Sequence, residues 1–147
     1  MLALPKLEVR QVRDGDLEQV VALEEASFDD PYPAYFLKEL VEDNRDTFLV
    51  AVSEGKVLGY AVVDRWVDHD HLVSIAVYPA VRGRGVGQLL FSGLGERLVG
   101  KRALRLEVRR SNSVAIRFYL KNGFKEVGVE LSYYRDGEDA LLMEKSG

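Results

Sequence analysis

A chain of 147 residues, 47% hydrophobic and 30% charged, has the length and make-up of a single globular domain spanning residues 1–147. Its net charge of −4 excludes a global attraction to nucleic acid, and no apolar stretch approaches the ~20 residues of a membrane span. The absence of cysteine excludes disulfides and a thiol nucleophile, two close histidines are too few for a zinc site, and a start without a signal-peptide pattern points to the cytoplasm.

Taken in order, Lys6 to Val12 alternates weakly and predicts a strand. Asp14 is expected to cap a helix running to about Phe28, with Leu17, Val20, Val21 and Leu23/Glu24 as its apolar stripe. Asp29-Asp30-Pro31-Tyr32-Pro33 breaks that helix, and Pro33 opens a second one to about Asp43. Thr47 to Val52 and Val57 to Val67 flank Ser53-Glu54-Gly55-Lys56 as a hairpin, and His71 to Tyr78 adds a third strand. A helix follows from about Gly85 to Val99, then a strand from Ala103 to Val108. A helix from Ser111 to Lys121 and strands Phe124–Leu131 and Ala140–Glu144 complete the order β-α-α-β-β-β-α-β-α-β-β, an α/β fold with a mixed sheet.

The most informative segment joins the third strand to the third helix: Tyr78-Pro79-Ala80-Val81-Arg82-Gly83-Arg84-Gly85-Val86-Gly87-Gln88. A strand, a glycine-rich loop and a helix start in succession build a phosphate site. The backbone can approach closely, the first helical N–H groups lack partners, and arginines supply forked donors. A P-loop needs Lys-Ser/Thr after the last glycine, where Gln88-Leu89 stands. A dinucleotide fingerprint needs G-x-G-x-x-G, whereas Gly83, Gly85 and Gly87 are spaced G-x-G-x-G. Glu107 lies about where a ribose-binding acid would come, roughly 20 residues on, but the glycine spacing weighs against that reading.

The element order around Arg82-x-x-Gly85-x-Gly87 resembles the GNAT superfamily of acetyl-coenzyme A-dependent N-acetyltransferases, whose acceptor-loop pattern is Gln/Arg-x-x-Gly-x-Gly/Ala. The series Leu106-Glu107-Val108-Arg109-Arg110-Ser111-Asn112, Ala115-Ile116-Arg117-Phe118-Tyr119, Asn122-Gly123-Phe124 and Ser132-Tyr133-Tyr134-Arg135-Asp136-Gly137 narrows it. It is similar to the branch that acetylates protein N-termini, the ribosomal-protein-alanine N-acetyltransferases and their archaeal counterparts. His71-Leu72-Val73-Ser74-Ile75-Ala76-Val77 is closest to the archaeal and eukaryotic N-terminal enzymes. Pro31-Tyr32-Pro33 departs from the Pro-Trp pair common in the bacterial branch.

The resemblance implies a mostly antiparallel seven-stranded sheet flanked by four helices. It also implies acetyl-coenzyme A as acetyl donor and protein or peptide N-termini as acceptors, with ribosomal proteins one candidate class, in a monomer or weak dimer. Ile75, Ala76 and Val77 would bind the pantetheine arm through backbone, and Arg82, Gly83, Arg84, Gly85, Val86, Gly87 and Gln88 the pyrophosphate. Asn112, readable on its own as a helix N-cap, would also contact the cofactor. Tyr119, otherwise a half-buried helix aromatic, would be the general acid toward the coenzyme A thiolate. Glu107 matches the bacterial general base and His71 the histidine of the archaeal and eukaryotic enzymes. Read without the family, Glu107 belongs to a charge-paired strand face with Arg105 and Arg109, and His71 to an Asp-His-Asp-His surface turn. The base is therefore Glu107, His71 or both. Peptide access would lie between the Phe28–Pro33 loop and the Tyr133-Tyr134 hairpin, with Asp30, Tyr32, Tyr133 and Tyr134 as substrate contacts.

An α-amino group has a pKa of about 8 and a lysine amine one near 10.4, so deprotonating lysine costs about 3 kcal/mol more at pH 7. A modest base therefore suits an N-terminus. The alternatives are acetylation of a small amine or a lysine side chain, or a non-catalytic acyl-coenzyme A-binding module.

Overall fold

In the computed structural model, residues 6–98, 100 and 102–147 are described. The strands are β1 (Glu8–Gln11), β2 (Phe48–Ser53), β3 (Lys56–Arg65), β4 (Asp70–Val77), β5 (Leu104–Arg109), β6 (Lys125–Glu130) and β7 (Ala140–Lys145). The α-helices are α1 (Leu17–Ser27), α2 (Ala34–Asp43), α3 (Val86–Arg97) and α4 (Ser113–Lys121). The strands form a seven-stranded sheet in the order β1-β2-β3-β4-β5-β7-β6. Pairing is antiparallel at β1/β2, β2/β3, β5/β7 and β6/β7, and parallel at β4/β5. Every expected element is present, most with ends moved by one to three residues. Val99, the expected end of the third helix, lies outside the described residues.

The chain divides into two compact units, the first comprising residues 1–64 and 72–98. Its central strands β2 and β3 read as nearly unbroken apolar runs because both of their faces are covered. Phe48, Val50, Tyr60 and Val62 meet Val20 and Leu23 of α1 and Leu37, Leu40 and Val41 of α2. On the other face α3 comes so close that a side chain at Gly59 would meet Val86 and Leu90, and one at Gly93 would meet Leu49. The β2/β3 hairpin turns on Glu54 and Gly55, both at positive φ, as a tight two-residue turn requires.

The start of α1 differs from the expectation. Asp14 does not cap it; it lies in a 3-10 turn (Asp14–Asp16) and pairs with Arg45 at 2.9 Å. Asp16 does the anchoring: it accepts the Arg13 backbone N–H at 2.7 Å and both Arg10 guanidinium nitrogens at 2.8 and 3.0 Å. A carboxylate two positions along competes better because it gains a bidentate arginine.

The second unit comprises residues 65–71 and 99–147. Here β5 alternates strictly, burying Leu104, Leu106 and Val108. Leu106 pairs with Met143 of β7, and Tyr119, Phe124, Ala140 and Leu141 are buried in the same unit. The opposite face of β5 is left for Arg105, Glu107 and Arg109. The start of β4 joins β5 in parallel, with Asp70 opposite Leu104 and His71 opposite Arg105. Paired residues share a face, so this register carries the His71 ring to the charged side of β5.

Candidate active site

The second unit holds a connected cluster. His71 Nε2 lies 2.6 Å from Glu107 Oε2, and the Tyr133 hydroxyl donates to Glu107 Oε1 at 3.0 Å. His71 Nδ1 meets His69 Nε2 at 3.0 Å, and His69 Nδ1 meets Asp68 Oδ1 at 2.7 Å. Trp66 stacks flat on the His71 ring, centroids 4.1 Å apart at 6°, and sets its edge against His69. Arg102 fixes the turn beneath by donating to the carbonyls of Trp66 and His69.

His71 is therefore not part of a surface turn: it lies in β4 and is buried. Glu107 is not part of a charge-paired face either. Arg105 pairs with Glu144, Arg109 with Asp136 and Glu138, and the carboxylate between them turns to His71 and Tyr133. Burial pushes the Glu107 carboxyl up, but the hydrogen bond and charge of His71, with the Tyr133 hydroxyl, outweigh it and hold it below its usual value.

Tyr119 lies on α4, 8% exposed, its ring edge-on to Phe118 and Phe124. Burial, reinforced by Tyr134, raises its phenol far above the ordinary value, so it keeps its proton at neutral pH. Tyr134 is itself pushed up to about 12 by burial, although Arg109, stacked 4.1 Å from the ring centroid, pulls the other way. The loop bearing Tyr133 and Tyr134 is pinned by Glu138, which bonds Arg109 and the Ser111 backbone. Asn112 is the N-cap of α4, accepting the Ala115 N–H at 3.1 Å.

In the first unit, Pro79–Val81 forms a 3-10 turn, and Arg82 reaches back to the Val77 carbonyl at 3.2 Å. Gly83 and Gly85 sit at φ of +81° and +83° with open space where a side chain would be, so they are needed for backbone conformation. The first helical bond of α3 runs from Leu89 N–H to the Gly85 carbonyl. The N–H groups of Val86 and Gly87 lie ahead of that bond, at the open end of the helix, and Gly85 has no side chain to cap them. An exposed, uncapped helix start beside Arg82 and Arg84 suits a pyrophosphate.

The same unit contains a carboxylate that sequence reasoning passed over. Glu24, on α1, is buried; it accepts the Tyr60 hydroxyl at 2.5 Å and the Tyr32 backbone N–H at 2.9 Å. Burial raises it above its usual value. It ties down the α1–α2 loop, where Asp30 is exposed and the Tyr32 ring leans on Phe36. His69, Asp68 and Trp66 were also passed over. The available signal was the i, i+2 spacing of the two histidines, which puts both rings on one side of an extended chain.

The profile of the Acetyltransferase (GNAT) family matches residues 17–124. The chain belongs to this family. Its acetyl donor is acetyl-coenzyme A, whose pyrophosphate the start of α3 fits. This acetyltransferase is 35% identical over 150 residues to an N-alpha-acetyltransferase of Sulfurisphaera tokodaii, covering 92% of the chain and 90% of the relative. It is 37% identical over 142 residues to a putative [ribosomal protein bS18]-alanine N-acetyltransferase of Bacillus subtilis, covering 94% of each. Among solved structures, Ard1 from Thermoplasma volcanium superposes with a TM-score of 0.88 at 28% identity, over 95% of this chain and 97% of that one.

Proposed function

We propose that this acetyltransferase moves the acetyl group of acetyl-coenzyme A onto the α-amino group of protein or peptide N-termini. The observation that carries the reading is the 2.6 Å contact between His71 and Glu107, with Tyr133 on the same carboxylate. The relatives named above, two of them N-terminal acetyltransferases, support it.

Both ring nitrogens of His71 are engaged, one by Glu107 and one by His69. Each Glu107 oxygen also has one partner, but a carboxylate oxygen accepts two hydrogen bonds, so a Glu107 oxygen is the atom left to face an amine, with the imidazole behind it. Held below its usual value, the carboxylate is a weak base in itself; the imidazole behind it is a second acceptor that can take the proton on from an α-amine. The neutral amine attacks the thioester directly. Tyr119, kept protonated by burial, donates its phenolic proton to the departing sulfur. Arg82 through Gln88 hold the pyrophosphate, Ile75, Ala76 and Val77 the pantetheine arm, and Asn112 contributes to cofactor binding. Asp30 and Tyr32 on one loop, and Tyr133 and Tyr134 on the other, contact the peptide.

The test sets peptides with free N-termini against N-blocked lysine peptides and small amines, with the Glu107→Gln and His71→Ala variants alongside. Acetylation of free N-termini that falls on the order of 10²-fold in both variants is expected. Acceptance of only blocked lysine peptides or small amines overturns the substrate assignment. Coenzyme A binding without turnover on any amine overturns the enzyme reading.

A further inference from the structure

We propose that Asp68 and His69 form the solvent end of a proton relay that carries the amine's proton from Glu107 through His71 to bulk water. The inference rests on Glu107 taking that proton, as set out above. Glu107, His71, His69 and Asp68 form an unbroken file with successive separations of 2.6, 3.0 and 2.7 Å. The file is closed in its middle and open at its far end: the side chains of Glu107, His71 and His69 are 20%, 11% and 6% exposed, and that of Asp68 is 72% exposed.

Proton counting gives the file a direction. Its three contacts, Asp68–His69, His69–His71 and His71–Glu107, each need one proton to be a hydrogen bond. Carboxylates supply none, and two neutral imidazoles carry one N–H each. When both imidazoles are neutral and point their N–H groups toward Asp68, the His71–Glu107 contact is the one without a proton, and the proton taken from the substrate fills it. The Glu107 O–H then breaks as the His71 Nε2–H forms. The His71 Nδ1–H passes to His69 Nε2, the His69 Nδ1–H passes to Asp68, and water takes it from there. One proton enters at Glu107 and one leaves at Asp68, and the two rings re-tautomerise before the next cycle.

Trp66 fixes both rings, stacked flat on His71 and edge-on to His69, and Arg102 holds the turn. Among the described residues, the charged and titratable groups around the pair are Asp68, Asp70, Arg102, Arg105, Glu107 and Tyr133. The bond from His69, with Arg105 3.8 Å away, favours the ionised, proton-accepting form of Asp68. A salt-bridged surface histidine would need only Asp68; the bond from His69 inward to His71 is what a relay adds.

His69→Gln keeps a polar group at the reach of Nε2, toward His71, but has none at Nδ1 and cannot pass a proton to Asp68. We expect its kcat in dilute, non-imidazole buffer to fall about 10-fold, with both KM values unchanged. Added imidazole should restore the rate while leaving the parent enzyme unaffected. Asp68→Asn should show the same rescue with a smaller loss. A His69→Gln rate equal to the parent's at every buffer concentration, or a loss that imidazole does not restore, overturns the relay. Glu107→Gln in the same series separates the two readings. If it retains the parent rate, the assignment of Glu107 fails; if it is inactive while His69→Gln is unimpaired, the relay alone fails.

Discussion

Replacing Tyr60 by phenylalanine removes one oxygen atom from a side chain with no solvent exposure and strips a partner from the Glu24 carboxylate. That oxygen donates to Glu24 at 2.5 Å and is met by the Ser74 side chain. A hydrogen bond to a charged acceptor contributes about 1.5–3 kcal/mol, and the buried carboxylate cannot replace it with water. The ring stays, stacked on Phe48 at 5.3 Å, so no cavity adds to the loss. A destabilisation of about 2–3 kcal/mol follows, or roughly 5–10 °C in Tm for a chain of this size.

The loss should also depend on pH. Glu24 already lies above its ordinary value of 4.5, because burial outweighs the bonds from Tyr60 and Tyr32. Without Tyr60 it rises further, because one of the two bonds that favour the ionised form is gone. Between the unfolded and folded values the native state holds more protons than the unfolded chain, so stability declines as pH rises through that window. The variant's window extends further upward. The gap between variant and parent should therefore be smallest near about pH 4.5 and widen toward about pH 8. Urea unfolding of both proteins across that range measures it. A gap that is flat with pH, or below about 0.5 kcal/mol throughout, refutes the account of Glu24 as an ionised group held by Tyr60.

In Tyr119→Phe, the ring contacts with Phe118 and Phe124 persist while the acid is lost; kcat should fall on the order of 10²-fold or more in steady-state assays, with coenzyme A affinity retained. Unchanged turnover would remove Tyr119 from the chemistry. Gly85→Ala forces a left-handed conformation on an alanine in open space, so the cost is conformational, about 1–2 kcal/mol in a thermal melt. Its KM for acetyl-coenzyme A should rise as the start of α3 shifts. Asn112→Ala removes the α4 N-cap and should cost about 1 kcal/mol, whereas Asn112→Asp should recover most of it.

The elements were legible because their signals are local. The apolar runs of β2 and β3, the proline at the head of α2 and the glycines between β4 and α3 each act within a few residues. Asp14 shows where that stops: two acids two residues apart both suit a helix start, and only the bidentate reach of Arg10 from β1 selects Asp16. The candidate site divides the same way. Glu107, His71 and Tyr119 came from motif positions, but whether Glu107 faced arginines or a histidine depended on the parallel register of β4 with β5. Glu24 looked like one polar residue in an apolar stripe, since its partner Tyr60 lies 36 positions away. His69 looked like half of a loop because its bond inward to His71 needs the Trp66 turn, which composition does not announce.

The tryptophan stacked on His71 is the only one in the chain. An indole in face contact with an imidazole loses emission when that imidazole becomes cationic. The enzyme thus carries an intrinsic optical reporter of the charge on His71. Its fluorescence can be followed while amine and acetyl donor are mixed, with no label attached.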